Sequence, residues 1–302
     1  TGLVSYGGVL PLAGLGAAMS ARGHRVSMIA NPYFRDVIER AGLEFLPLGT
    51  AEEYVELTEH PDLWHPFRGP KLVLRFGSKY LRKLYELLQS VVERDRLVLA
   101  AHGLDLASRT FHDQYGTPLA TVHFAPLSLR TLEETPRFFG LLTGPRAPVW
   151  LKALQFWLGD RLVVDPCAGG ELNKLRAELE LPPVRYIYRA WHNSPQLVLG
   201  MWPDWYAARQ SDWPAHTELV GFPLWDPTSS PQLPPAVRTF LDEGAAPIVF
   251  SPGSANAQAE AFFRTAAEVC RRRKWRAIFA TKFPQQLPRP LPDGVRQFDF
   301  VP

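Results

Sequence analysis

The chain has 302 residues, 46% of them hydrophobic and 21% charged, enough apolar material for two globular cores and too much for a disordered or fibrous protein. Thirty-three Lys and Arg against 30 Asp and Glu leave a net charge of +3, too small and too dispersed to point to a nucleic-acid partner. Cys167 and Cys270 stand far apart with no CxxC or Cys/His cluster, which argues against a disulfide framework or a structural zinc site and fits a reducing, cytoplasmic setting. From the N-terminus, a short apolar segment leads to a glycine turn at Gly7 and Gly8. Pro11 then opens a helix on which Leu12, Leu15 and Met19 recur at helical spacing until Gly23. Residues 25–30 predict a buried strand, Asn31-Pro32 leads into a helix through Arg35, Val37 and Ile38, and residues 44–48 predict a third strand.

Further strands are predicted at 97–101 and 119–123, with a helix between them that ends before Gly116. Strands alternating with helices at this interval predict an α/β domain with a doubly wound parallel sheet. Ligands of such sheets sit beyond the carboxyl ends of the strands, so His102 and His123, at two of those ends, mark with the Gly7 turn one rim of a cleft. Each histidine capping a strand is the plain alternative. The row Lys71, Arg75, Lys79, Arg82 and Lys83 reads as a solvated helix face, and Arg271 to Lys274 as a basic helix end. The aromatic stretch 138–163 (Phe138, Phe139, Trp150, Phe156, Trp157) has two readings, a packed helical insertion and a contact with lipid, the insertion being the simpler.

After Gly221-Phe222-Pro223 the segment 226–231 is polar and rich in proline, the composition of a linker. A second α/β unit follows: a strand at 246–251, a turn at Pro252-Gly253-Ser254, a helix at 257–273, and strands at 276–281 and 295–300. The division is 1–224 for the first domain, 225–244 for the linker and 245–302 for a second domain with only part of an α/β sheet. The turn Ser251-Pro252-Gly253-Ser254 lies between strand and helix, where free backbone N–H groups attract phosphate. Ser254 as an ordinary helix N-cap is the competing reading, and for Thr281 a strand-end hydroxyl bonded to backbone.

Gly7-Gly8-Val9-Leu10-Pro11-Leu12, Ala21 to Val26 and Ala41 to Phe45 resemble the N-terminal unit of the family 1 GT-B glycosyltransferases. Ser194-Pro195-Gln196, Pro203-Asp204-Trp205, Asp212-Trp213-Pro214 and Gly221 to Leu224 are similar to the bacterial branch that holds the rhamnolipid rhamnosyltransferase. The resemblance implies two Rossmann-like domains facing a cleft, and inverting transfer of a sugar from a UDP- or dTDP-linked donor to a hydroxyl of a hydrophobic or lipid-like acceptor. It assigns Gly7, Gly8, His102 and His123 to the acceptor and Gly253, Ser254, Thr281 and Val301 to the donor. No metal is expected, since no spaced ligand cluster exists and the eight histidines are scattered, and no cofactor or nucleic acid beyond the nucleotide-sugar co-substrate; peripheral contact at the inner membrane face is the expected placement.

Two departures from the family stand out. The family carries Asp or His directly after the first glycine, as the group that takes the acceptor proton, and this chain has Gly8 there. His102, which falls where plant relatives pair an Asp with their catalytic His, is the substitute base. The family's donor signature, a loop beside the nucleobase followed by His-x-Gly-Gly and Asp-Gln, would open at Val301-Pro302 and is absent, so the chain reads as a fragment. The alternative to an enzyme is a catalytically silent relative serving as a binding module. A nicotinamide dehydrogenase is excluded: Gly7-Gly8 lacks GxGxxG spacing and residues 25–30 end without an acidic residue.

Overall fold

The computed structural model describes residues 6–90, 96–137, 140–144, 146–225 and 233–301. Most of the short apolar segment that opens the chain, and the 226–231 segment, lie outside them. Helix α1 (Tyr6–Ser20) buries Val9, Leu12 and Ala13 against Met28 and Ala30 of β1 (Ser27–Ala30) and Phe34 and Ile38 beside α2 (Arg35–Arg40). Gly7 and Gly8 already lie within the helix, so they are not a separate turn ahead of Pro11. Pro11 carries no N–H, which leaves the Gly7 carbonyl without its i+4 donor. Strand β2 (Glu44–Pro47) pairs in parallel with β1, and α3 (Ala51–Glu59) opens on a capping box between Thr50 and Glu53.

The first unit's main sheet has the order β3 (Leu99–His102), β4 (Leu119–His123), β5 (Leu197–Gly200) and β6 (Thr217–Leu219), all parallel. It is covered by α4 (Arg68–Ser90), α5 (Leu106–Tyr115) and α7 (Asp165–Glu178), whose Tyr80, Leu84, Leu88, Phe111, Leu172 and Leu175 form one apolar core. On the outer face of α4, Lys71, Arg75, Lys79, Arg82 and Lys83 are exposed, with Lys79 bonded to Glu53 and Arg82 to Glu178. Helix α6 (Val149–Gly159) runs through a π-helical turn, Asp160–Val164, into α7.

The second unit is a parallel sheet of β7 (Ile248–Phe250), β8 (Ala277–Ala280) and β9 (Val295–Phe298), with α8 (Pro235–Asp242) and α9 (Glu260–Arg273) packed on it. The linker expected over 225–244 is thereby corrected at both ends. Val237 and Phe240 of α8 pack on Ile278, so that helix belongs to the second unit. Trp225 belongs to the first: a Cβ built on Gly14 of α1 would lie 2.6 Å from the Trp225 Cβ.

Candidate functional site

Hydrogen bonds join the units: Lys282 Nζ donates to the Tyr33 hydroxyl, and Gln258 Nε2 donates to the His60 carbonyl at 2.7 Å. Tyr33 follows β1, Lys282 follows β8 and Gln258 lies in the loop after β7, so the units meet at the carboxyl ends of their strands. Parallel α/β sheets present ligand-binding loops at this edge.

In the first unit, Gly8, Phe124 and His102 are contiguous. A Cβ on Gly8 would stand 3.5 Å from Phe124 Cε2, and the Phe124 ring stacks on His102 with centroids 5.3 Å apart. The Leu104 N–H donates to His102 Nδ1 at 3.2 Å, which fixes the lone pair there and puts the proton of the neutral ring on Nε2. Burial, with His123 nearby, pushes the His102 pKa down to about 3, so the ring stays neutral at physiological pH. A ring in this tautomer donates from Nε2 and has no free lone pair with which to take a proton. The base role expected of His102 is therefore incompatible with the geometry as it stands. The neighbouring cavity between α4, α5 and Tyr188 is about 20 Å³, room for roughly one water and too small for a sugar acceptor.

His123, expected to line the acceptor site, is 1% exposed and enclosed by its neighbours. Its Nε2 lies 2.8 Å from Asn193 Oδ1, its ring is 5.7 Å from that of His192, and a Cβ on Gly103 would be 2.4 Å from its Cε1. The Nδ1 atoms of both His123 and His192 are buried without a hydrogen-bond partner. Burial pushes the His123 pKa down to about 4 and holds that of His192 well below its ordinary value. These shifts fix the sign of a pH dependence. Below about pH 6.5 the unfolded histidine takes up a proton that the folded one refuses until about pH 4, so stability is complete above that window and falls as pH drops through it. In His123→Gln the slope of unfolding free energy between pH 6.5 and 4 is expected to shrink by about 1.4 kcal/mol per pH unit, measured by urea melts.

On the second unit, helix α9 starts at Glu260 with Ala259 as a cap that makes no side-chain bond. Ser254 is thus neither the helix N-cap nor at the helix start; it is exposed in a loop, beside exposed Gly253. Gly253 has φ +105°, a conformation that side-chain-bearing residues rarely adopt. The buried Gln286 amide ties this loop down: its Oε1 accepts from Ala259 N at 2.7 Å, and its Nε2 donates to Asn256 O at 3.2 Å and to Thr281 Oγ1 at 2.7 Å. Thr281, expected at the donor, also accepts from Phe283 N at 3.1 Å and is 6% exposed, so its hydroxyl braces the loop. Val301, the last of the expected donor residues, packs half-buried on the Val237, Phe240 and Ile278 cluster.

Lys282, which the sequence reading passed over, stands at the seam. Its ammonium lies over the Tyr33 ring at 4.6 Å and forms no ion pair among the described residues. Its signal was present, a cation immediately after a predicted strand end. No sequence signal marks Gln286 or Asn193. Among the described residues no group of three or more His, Cys, Asp or Glu could hold a metal ion.

The architecture is that of the GT-B glycosyltransferases, two α/β units with parallel sheets. The glycotransferase of kitacinnamycin superimposes with a TM-score of 0.66 at 17% identity, over 99% of this chain and 70% of that one. A Streptomyces sp. SF2575 glycosyltransferase, SsfS6, complexed with thymidine diphosphate, gives 0.54 at 16% identity, over 98% and 70%. In sequence the chain is 28% identical over 274 residues to the O-mycaminosyltylonolide 6-deoxyallosyltransferase of Streptomyces fradiae, covering 83% of this chain and 59% of that protein. It is 26% identical to glycosyltransferase GtfE of Amycolatopsis orientalis (85% and 60%) and 23% identical to the sterol 3-beta-glucosyltransferase UGT80A2 of Arabidopsis thaliana (90% and 43%). The chain thus spans about three fifths or less of the length of these relatives. No family model matches it.

Proposed function

We propose that the protein takes part in transfer of a sugar from a UDP- or dTDP-linked donor to a hydroxyl group of a hydrophobic small molecule, with inversion and without a metal or redox cofactor. The observation that carries this reading is the meeting of two GT-B units at their strand ends, joined by Tyr33–Lys282 and His60–Gln258, in a chain similar over most of its length to sugar-transferring proteins. The acceptor lies against Gly7, Gly8, Phe124 and His102. The Gly7 carbonyl freed by Pro11 accepts from its hydroxyl and the His102 Nε2–H donates to it. The donor diphosphate lies against the exposed Gly253–Ser254 loop, with Lys282 as its counter-charge. The relatives' names support the ligand classes: a macrolide-type and a sterol acceptor, and a thymidine diphosphate in one neighbour. Placement in the rhamnosyltransferase branch belongs to the same proposal and rests on the 194–224 stretch alone.

In an inverting transfer the acceptor oxygen bonds to the anomeric carbon while the bond from that carbon to the diphosphate oxygen breaks, and the acceptor proton must go to a base. Gly8 has no side chain and His102 offers no lone pair on Nε2. That pair of facts favours the second reading, a silent relative that binds without turning over.

The test is transfer from UDP and dTDP sugars by the full-length protein, together with calorimetric binding of dTDP. Lys282→Ala is expected to weaken dTDP binding about tenfold or more, the worth of a charge-assisted hydrogen bond. Unchanged affinity would remove Lys282 from the donor site, and no dTDP or UDP binding at all would remove the transfer reading.

A further inference from the structure

Helix α6 is amphipathic the wrong way round for a helix on a protein surface. Its one ionised residue points inward: Lys152 is 3% exposed and donates to the Leu132 and Glu133 carbonyls at 3.1 and 3.2 Å, and Asp160, opening the turn that follows, is 1% exposed and takes both guanidinium ends of Arg130 at 2.6 and 2.8 Å. Its outer face carries Val149, Trp150, Leu154, Trp157, Leu158 and Leu162, with Trp150 and Leu162 each 67% exposed. Their spacing makes a continuous stripe along α6 and into the π-helical turn. An apolar stripe of this extent in open water marks an interaction surface.

The exposed ionised side chains of 137–164 are Arg137, Arg146 and Arg161, with no exposed acid between them. Arg161 and Arg185 line one open groove beside Leu162, and neither forms an ion pair among the described residues. Asp165, in the same groove, is spent on the Tyr186 and Ile187 N–H groups at 2.8 and 3.2 Å. Arg189 is also exposed, on the segment whose Tyr186 hydroxyl accepts from Trp157 Nε1 at 3.2 Å.

We propose that this face docks on an anionic phospholipid surface, with the α6 stripe lying in the plane of the headgroups and Arg161 and Arg185 holding phosphate. Tryptophan and leucine on one side with arginines alongside is the composition of an interfacial helix. The inference stands independently of sugar transfer. No helix among the described residues is long and apolar enough to cross a membrane, so the contact is peripheral. A second copy of the chain fits less well: an isologous dimer through this face would bring two arginine-bearing patches of like charge into one interface.

The test is co-sedimentation of the full-length protein with vesicles of phosphatidylcholine alone and of phosphatidylcholine mixed with phosphatidylglycerol. Binding is expected to the mixed vesicles only, and to fall with added salt. Arg161→Ala with Arg185→Ala is expected to weaken it roughly twentyfold, and Trp150→Ser with Leu154→Ser by at least tenfold, all with unchanged thermal melts. No binding to the mixed vesicles at low salt overturns the proposal, as does binding indifferent to phosphatidylglycerol and to the arginines. A dimer in solution that Trp150→Ser with Leu154→Ser converts to monomer assigns the face to a second copy instead.

Discussion

Asp113→Ala is expected to lower the free energy of unfolding by about 3–5 kcal/mol, read from the shift of the urea midpoint at pH 7. Asp113 on α5 is bonded to Arg109 one turn earlier, to Arg176 Nη1 on α7 at 2.7 Å and to Trp191 Nε1 at 3.0 Å. Arg176 is 4% exposed at its side chain and Arg109 11%, and both guanidinium groups lie over the Trp191 ring, at 5.1 and 5.3 Å. One carboxylate therefore neutralises two cations that water barely reaches. Removing it leaves both charges in place without compensation, which is the costly way to break a buried pair. Burial alone would raise the Asp113 pKa, but Arg176, Arg109 and Trp191 outweigh it and the pKa lies below the ordinary value. Its contribution is thus present above the usual carboxylate pKa and disappears as pH falls through the lowered one. The loss should spread: Arg109 Nε also donates to the carbonyls of Trp191 and Asn193 at 2.9 and 3.2 Å, and Asn193 holds His123 beneath the strand ends. A shift below about 1 kcal/mol would mean that the two arginines reach water and the network is a surface one.

None of that network is legible in the sequence, because Asp113, Arg176 and Trp191 come together only when α5, α7 and the 187–193 segment have packed. What is legible is local. The strand at 119–123 is found with its observed ends, since Leu119, Ala120 and Val122 are an apolar run stopped by Gly116 on one side and followed by a polar residue. Strands β5 and β6 have four and three residues and lie in a proline-rich stretch, too short to show a period of two. Proline favours a first turn, which points to Pro11 as the start of α1; tertiary burial of Val9 extends the helix past it. The α6 stretch held two readings for a physical reason. A helix with Lys152 and Asp160 inward and tryptophan outward is both a packed insertion and an apolar surface, and composition alone does not say which side each residue takes. At the candidate site the glycine positions could be read from the sequence, whereas the tautomer of His102 depends on one backbone N–H of the following loop.

The second large effect concerns Gly8. Gly8→Asp in the full-length protein is expected to raise the turnover number for sugar transfer by about 10²- to 10⁴-fold, the usual worth of a positioned general base, with little change in donor KM. The site accepts the side chain. Gly8 is not among the residues with positive φ, and a Cβ there meets only the edge of Phe124, at 3.5 Å, an ordinary contact. An aspartate carboxyl ordinarily titrates near 4, so the new group is ionised at neutral pH and ready to accept. The pH profile separates this from a hidden role of His102. With the His102 pKa near 3, neither protein should show an acidic limb near pH 6.5. If the Gly8 protein already turns over and such a limb is present, His102 has given up its Leu104 bond and shed the Nε2 proton, and His102→Ala should then abolish the rate. If turnover appears only with the aspartate, the natural chain keeps the frame of a transferase and lacks its proton acceptor, and binding is what its cleft does.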